Sequence, residues 1–437
     1  MNVLIISSSS AETSGIVAFN LNENLNTFGH NSRLLTLFDN SGLKNVINYH
    51  NSVSWFLTSY YGRVGNKLKR TFLKGDEVKR NPRYHILDMR EDKIRFPSTD
   101  ILKKIPFTPD VIIALFTHQF VNTENLYDLS FRFNAPVLWY LMDMGPMTGG
   151  CHYAWDCIGY INSCGTCPGL YSLEKEDFSH DNLLFKQRFV ERMHVIVISA
   201  SEWLDRQVRR SALFREKPLY KILLSCDPEI FKPTDKEAVR KVLNIPLDKR
   251  IIFFGSVRLN VERKGMACLI EALNILRQRL TDTPLSNSVH CLVAGEKSES
   301  LFREMALPFT YVGTLKNEQE LSLAYQAADL FVCPSIEDSG PSMINQAIMT
   351  GTPVVAFNMG VAPDLVHTGF TGYRAELKDC ADLANGICSI IDLPMPAHHF
   401  MSQSCRKLGI EQCHPDKQAQ QFNAIIETIK YAPVVHS

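Results

Sequence analysis

Between Cys333 and Val366 the chain reads CPSIEDSGPSMINQAIMTGTPVVAFNMGVAPDLV, and this run admits few folds. Met343, Ile344, Ala347 and Ile348 recur at helical spacing and define one buried stripe. Pro341 suits a first helical position, where the missing amide would be unpaired anyway. Gly351 predicts a left-handed stop, and Pro353–Phe357 reads as a strand buried on both faces. The helix begins directly after Glu337-Asp338-Ser339-Gly340, so its first amides, at Ser342 and Met343, form an anion site. Glu337, one loop away, can accept hydroxyl hydrogen bonds. An anion site beside a hydroxyl reader suits a phosphorylated sugar; an ordinary turn carrying a surface acid is the alternative.

The same grammar recurs along the chain. Asn2–Ser7 reads as a strand, Ile16–Phe28 as a helix with Val17, Leu21, Leu25 and Phe28 on one face, and Ser32–Phe38 as a strand. That βαβ opening predicts an α/β fold with a parallel sheet and crossover helices. Gly15 closes the small-residue loop after the first strand, as a ligand approach or as a plain turn. Asp110–Phe116 and Pro136–Met142 are further strands. Polar residues at their carboxyl ends, His118 and Asp143, stand where α/β proteins place ligands. A lone histidine is as readily structural. A second βα series starts at Arg250, and its first loop holds Arg258, Arg263 and Lys264. Such cations suit a diphosphate, or make a solvated charged loop.

Composition excludes some classes. Lysine plus arginine equals aspartate plus glutamate, 46 each, so nothing overall points to nucleic acid. No apolar run reaches the roughly 18 residues of a membrane span. The start MNVLIISSSS reads as a first strand and not as a signal peptide. Cys268, Cys291 and Cys333 sit in apolar runs, where buried thiols are the default. This predicts a reducing, cytoplasmic compartment. Cys151, Cys157, Cys164 and Cys167 end in a C-x2-C knuckle whose spacing suits a structural zinc; free thiols and disulfides are the alternatives. Residues 53–74 carry an aromatic stripe flanked by Arg63, Lys67, Lys69, Arg70 and Lys74. Such a helix suits peripheral contact with an anionic membrane, or packing within its own domain.

The run from Glu337 onward resembles the donor-site signature of the retaining family-4 glycosyltransferases, which have the GT-B fold. That signature has two glutamates separated by seven residues, then a helix and GTPVVA. Here the first is Glu337, the second position holds Asn345, and GTPVVAF and Gly360-Val361-Ala362-Pro363-Asp364 follow. Asp143 and the TGGC segment resemble a bacterial polysaccharide-biosynthesis subgroup, with Met142 where that subgroup has histidine. The resemblance implies two Rossmann-like domains with parallel sheets facing across a cleft. Residues 1–220, completed by the C-terminal helix from 415, would be the acceptor side. Residues 221–414 would bind the nucleotide-sugar. By this resemblance Lys264 and Arg258, or Arg263 in its place, neutralise the diphosphate. Gly15, Thr314, Leu315, Gly340, Ser342, Met343 and Asn345 line the donor, and Glu337 orients its sugar. Asp143, His118 and Gly149 lie on the sugar or acceptor side. The implied activity is retaining hexosyl transfer from a UDP- or GDP-sugar to a glycan or lipid-linked acceptor in surface polysaccharide assembly. It would work in the cytoplasm or at the inner membrane face, and no metal is required for catalysis. A catalytically weak or inactive nucleotide-sugar-binding partner subunit is the competing reading. A Rossmann oxidoreductase is disfavoured by the absence of GxGxxG after the first strand.

Overall fold

The structure, a computed structural model, describes residues 1–9, 13–39, 42–50, 80–86, 90–281, 283 and 286–430. The aromatic stripe at 53–74 lies outside the described residues. By contacts the chain divides into two units. One takes the described residues up to Ala200, Leu204–Ile222 and those from Gln418 on; the other takes Ser201–Trp203 and Leu223–Lys417.

The first unit holds β1 (Asn2–Ile6), β2 (Asn31–Thr36), β3 (Val46–Asn48), β4 (Val111–Ala114), β5 (Val137–Leu141), β6 (Val195–Ser199) and β7 (Leu219–Lys221). Its order is β3-β2-β1-β4-β5-β6-β7, with parallel pairings. The second holds β8 (Arg250–Ser256), β9 (Val289–Gly295), β10 (Phe309–Tyr311), β11 (Leu330–Cys333), β12 (Val354–Phe357) and β13 (Gly372–Ala375). Its order is β10-β9-β8-β11-β12-β13, again parallel. Both units are Rossmann-like α/β folds. Helices cover both faces of such sheets, so their strands carry continuous apolar runs: every residue of β5, β6, β11 and β12 but Ser199 is hydrophobic, and all are buried.

Strand order sets where ligands can sit. In the first unit the chain leaves β1 for β2 and β3, then crosses back to β4 on the other side of β1. In the second it leaves β8 for β9 and β10, then crosses back to β11. Such reversals open a crevice at the carboxyl ends of the two neighbouring strands. In the first unit the loops after β1 and β4 are tied there: the Ser8 amide donates to the Phe116 carbonyl at 3.1 Å.

Two expectations need correction. The helix Thr13–Thr27 buries Ala18, Leu21, Asn22 and Leu25, while Phe28 is 37% exposed and Gly15 lies in the first helical turn. The stripe is rotated because Asn22 is satisfied inside it, its Oδ1 accepting the Ser32 hydroxyl at 2.8 Å. Hydrophobic spacing alone cannot show that. Cys268 is not a free thiol: it is disulfide-bonded to Cys380, joining the first turn of helix Met266–Leu280 to that of helix Cys380–Ile391. Cys291 and Cys333 are buried and free.

The core of the second unit is built on aromatic edges. Phe253, Tyr325 and Phe331 stand with ring centroids 5.2–5.4 Å apart and are almost fully buried. Each such pair adds about 0.5–1.5 kcal/mol beyond its area. This cluster fixes β8 beside β11, the neighbours whose carboxyl ends carry the polar loops.

Candidate functional site

At the crevice of the second unit the turn Glu262–Lys264 follows β8, and the loop 334–341 follows β11. The two are pressed together. Ile336 and Glu337 both donate their amides to the Arg263 carbonyl, at 2.8 and 3.4 Å. Gly265 allows the approach: its φ is +65°, and a Cβ there would stand 1.8 Å from the Pro334 carbonyl oxygen. Arg263 Nη1 and Lys264 Nζ donate to the same Asp338 oxygen, at 2.9 and 2.7 Å. Burial alone would raise the Asp338 carboxyl, but Lys264 and then Arg263 outweigh it and hold it below the usual carboxylate range. Asp338 is 7% exposed, whereas the side chains of Arg263 and Lys264 are 19% and 21% exposed. The acid is hidden and its cations reach outward.

The helix Ser342–Thr350 starts at the same edge, after Pro341, which gives it no side-chain cap. Pro341 is thus the residue before the helix, not its first. The amides of Ser342 and Met343 lack intrahelical acceptors and carry the positive end of the dipole. Glu337, 7% exposed, lies between the cation turn and this helix start. The edge can bind an oxyanion through two cations and a helix terminus, with a carboxylate beside it.

The first unit has a different polar pocket, lined among others by Glu91, His118, Met142, Asp143, His152 and Lys186. Asp143 Oδ2 lies 2.6 Å from His152 Nδ1, and Oδ1 accepts the Gly145 amide at 2.7 Å. Burial would raise the Asp143 carboxyl; His152 and the Gly145 amide reverse that and lower it. For His118, burial first and His152 second push the pKa down to about 4, so its ring is neutral near pH 7. Its Nδ1 is buried and without a hydrogen-bond partner among the described residues. Lys186, 4% exposed, donates to the Gly145 and Thr148 carbonyls at 2.8 and 2.9 Å and braces the loop after β5.

The structure brings Arg263, Lys264, Glu337, Gly340, Ser342 and Met343 to one edge. Arg258 stands exposed on the same loop, and Arg263 is the arginine that shares the acid with Lys264. Thr314 and Leu315 follow Gly313, after β10, at the same carboxyl edge of the sheet. Asn345 is 1% exposed and donates to the Leu224 carbonyl at 3.0 Å and to Cys413 Sγ at 3.5 Å, so its amide protons are used inside the unit. Gly149 packs on Ser179: a Cβ there would stand 2.1 Å from that carbonyl oxygen. Among the described residues no group of three or more His, Cys, Asp or Glu is set up to hold a metal. No described helix is long and apolar enough to cross a membrane. The sequence reading missed Asp338 and Lys186 as site residues, and had His152 only as a possible substitute ligand in the zinc site. Asp338 had a signal, since a second acid beside Glu337 faces two cations across a crevice. Lys186 had none, being one lysine in a helix.

Residues 248–392 match the family model of glycosyl transferases group 1. Over 180 residues the chain is 28% identical to D-inositol 3-phosphate glycosyltransferase of Mycolicibacterium smegmatis, covering 38% of each chain. Over 175 residues it is 31% identical to the enzyme of that name from Corynebacterium aurimucosum, covering 38% of this chain and 41% of that one. The matched stretch thus spans about two fifths of these relatives. Solved structures match over nearly the whole length. Sucrose-phosphate synthase from Thermosynechococcus elongatus has a TM-score of 0.66 at 17% identity, over 98% of this chain and 99% of that one. HepE from Anabaena, solved with UDP and glucose, has 0.61 at 16%, over 99% and 100%. At these identities the likeness shows the fold, which is GT-B.

Proposed function

We propose that the protein is a glycosyltransferase that takes its sugar from a nucleotide-sugar donor, a UDP- or GDP-sugar. It passes the sugar, with retention, to a glycan or lipid-linked saccharide in surface polysaccharide assembly. One observation carries the reading: Lys264 and Arg263 meet on Asp338 at 2.7 and 2.9 Å, beside Glu337 and the start of helix Ser342–Thr350. The group 1 match spans all of these residues, and the relatives it accompanies are named as glycosyltransferases.

In this mechanism the acceptor oxygen forms a bond to the sugar's anomeric carbon as the bond from that carbon to the phosphate oxygen breaks. The acceptor's proton passes to the departing phosphate oxygen on the same face, and a nucleoside diphosphate leaves. Lys264, Arg263 and the amides of Ser342 and Met343 stabilise the charge that grows on the leaving group. Glu337 accepts hydroxyl hydrogen bonds from the sugar. In the first unit, Asp143 and neutral His118 supply hydrogen-bond acceptors for hydroxyls of the acceptor.

The test uses the full chain and a panel of UDP-, GDP- and ADP-sugars, followed by thermal shift and by nucleotide release. The expected result is a raised Tm and slow release with a UDP- or GDP-sugar, and a product with the donor's anomeric configuration. No shift with any nucleoside diphosphate sinks the proposal. Tight binding with no release on any acceptor points instead to a non-catalytic partner subunit.

A further inference from the structure

We propose that Cys151, Cys157, Cys164 and Cys167 form a structural Zn²⁺ site that fastens the long loop carrying His152. The four cysteines, separated in sequence, line one small cavity of about 20 Å³. That is room for a single ion or water. All four are free of disulfides.

The backbone around them is shaped for sulfur. One of the sulfurs receives a backbone N–H bond: the Gly159 amide donates to Cys157 Sγ at 3.4 Å. Such a bond is strong when the acceptor is charged and weak to a neutral thiol. The Leu170 amide donates to the Cys167 carbonyl at 3.1 Å and closes the turn after the knuckle. The C-x2-C turn is built from consecutive left-handed residues, Cys164 (φ 55°), Gly165 (91°) and Thr166 (46°). It is held by bonds that leave the sulfurs free: Cys167 N to Asp177 Oδ2 at 2.9 Å and Gly165 N to Ser179 Oγ at 3.0 Å. A two-cysteine turn of non-glycine residues at positive φ costs free energy that nothing in an ordinary loop returns.

Among the described residues, no lysine, arginine or histidine lines that cavity. A divalent ion supplies the missing charge, and the ligands release their protons to solvent on binding. The sulfurs are near one another but not at ligand spacing. A single point, the Cβ position built on Gly159, lies 3.5 Å from Cys157 Sγ and 3.8 Å from Cys164 Sγ. Four thiolates fill a tetrahedral ion, so the metal braces and does not catalyse. What it braces is the segment from Thr148 to Asp177. That segment is also tied to Ile86 by a bridge at Cys151, and His152, the Asp143 partner, follows that bridge.

The full chain, purified without chelator, should carry about one zinc by elemental analysis. The Cys164→Ser/Cys167→Ser variant should lose it, with a lower Tm. Nucleoside diphosphate thermal shift reports whether the second unit stays folded. Cobalt loading of the wild type gives a readout independent of any variant: tetrahedral d–d bands and thiolate-to-metal charge transfer are expected. The proposal is overturned by wild-type protein that holds iron, that shows a mass loss of paired thiols, or that takes up neither zinc nor cobalt while its four thiols react freely.

Discussion

Asp329 and Asp338 bracket β11, and each accepts bonds from two cations. Asp329, before the strand, binds Arg240 at 2.8 Å and Lys236 at 2.9 Å, and also takes the Ile251 amide at 2.7 Å. The Arg240 guanidinium spends its other donors on the Ala327, Leu247 and Lys249 carbonyls and is only 6% exposed. Asp338, after the strand, holds Arg263 and Lys264, whose side chains are about three times as exposed as that of Arg240, although Lys236 at the other end is 37% exposed. The chemistry is the same and the consequence differs. A buried guanidinium with four of its five donors bonded inside the unit serves the fold. Cations at the carboxyl edge of a parallel sheet, at a reversal of strand order, keep donors for an incoming anion.

The comparison breaks most visibly at Asp329. Asp329→Ala strands a buried guanidinium and should cost about 3–5 kcal/mol of stability, measured by urea unfolding. A loss under about 1 kcal/mol would show that the amino-terminal cluster is not closed. Lys264→Met leaves the buried Asp338 with Arg263 alone and should lower the unfolding midpoint by less than Asp329→Ala does. It should weaken nucleoside diphosphate binding by about 1.5–3 kcal/mol, the worth of a hydrogen bond to a charged group. By calorimetry that is roughly ten- to hundred-fold in Kd; a midpoint shift with unchanged Kd would reverse the roles given to the two ends. The smallest effect concerns acid. Both carboxyls are held below their ordinary range. A depressed carboxyl contributes stability that is complete above its unfolded value, about 3.9. That stability is lost as pH falls through the folded value. Asp338→Asn and Asp329→Asn should therefore each flatten the loss of Tm as pH falls below about 4. An acid limb identical to wild type would mean that Asp338 carries no such linkage.

Much of the fold was legible because it repeats locally. Val111–Ala114, Val137–Leu141 and Val354–Phe357 fall within strands read from the sequence, since a strand buried on both faces must be apolar throughout. The helix after Glu337 was legible from its spacing and its glycine stop; its first residue is Ser342. Asn22 defeated the stripe reading because a buried polar residue with a partner looks like a surface one. Asn345 stands at a position read for ribose contact, yet the Leu224 carbonyl and Cys413 Sγ take its amide protons. Neither partner is visible from the local run.

By itself the sequence determined the strand and helix periods, the two βα series and the polar loops at the strand ends. Those follow from side-chain spacing within a few residues. Tertiary structure decided which charges meet. Asp338 finds Arg263 and Lys264 because β11 returns to lie beside β8, with two strands between them in the chain but none in the sheet. The Asp143–His152 pair forms as the loop after β5 folds back on itself, and Lys186 holds that loop from a helix further along. A partner chosen by sheet order or by a returning loop leaves no period to read, and that is why the acid beneath the cations was found only in three dimensions.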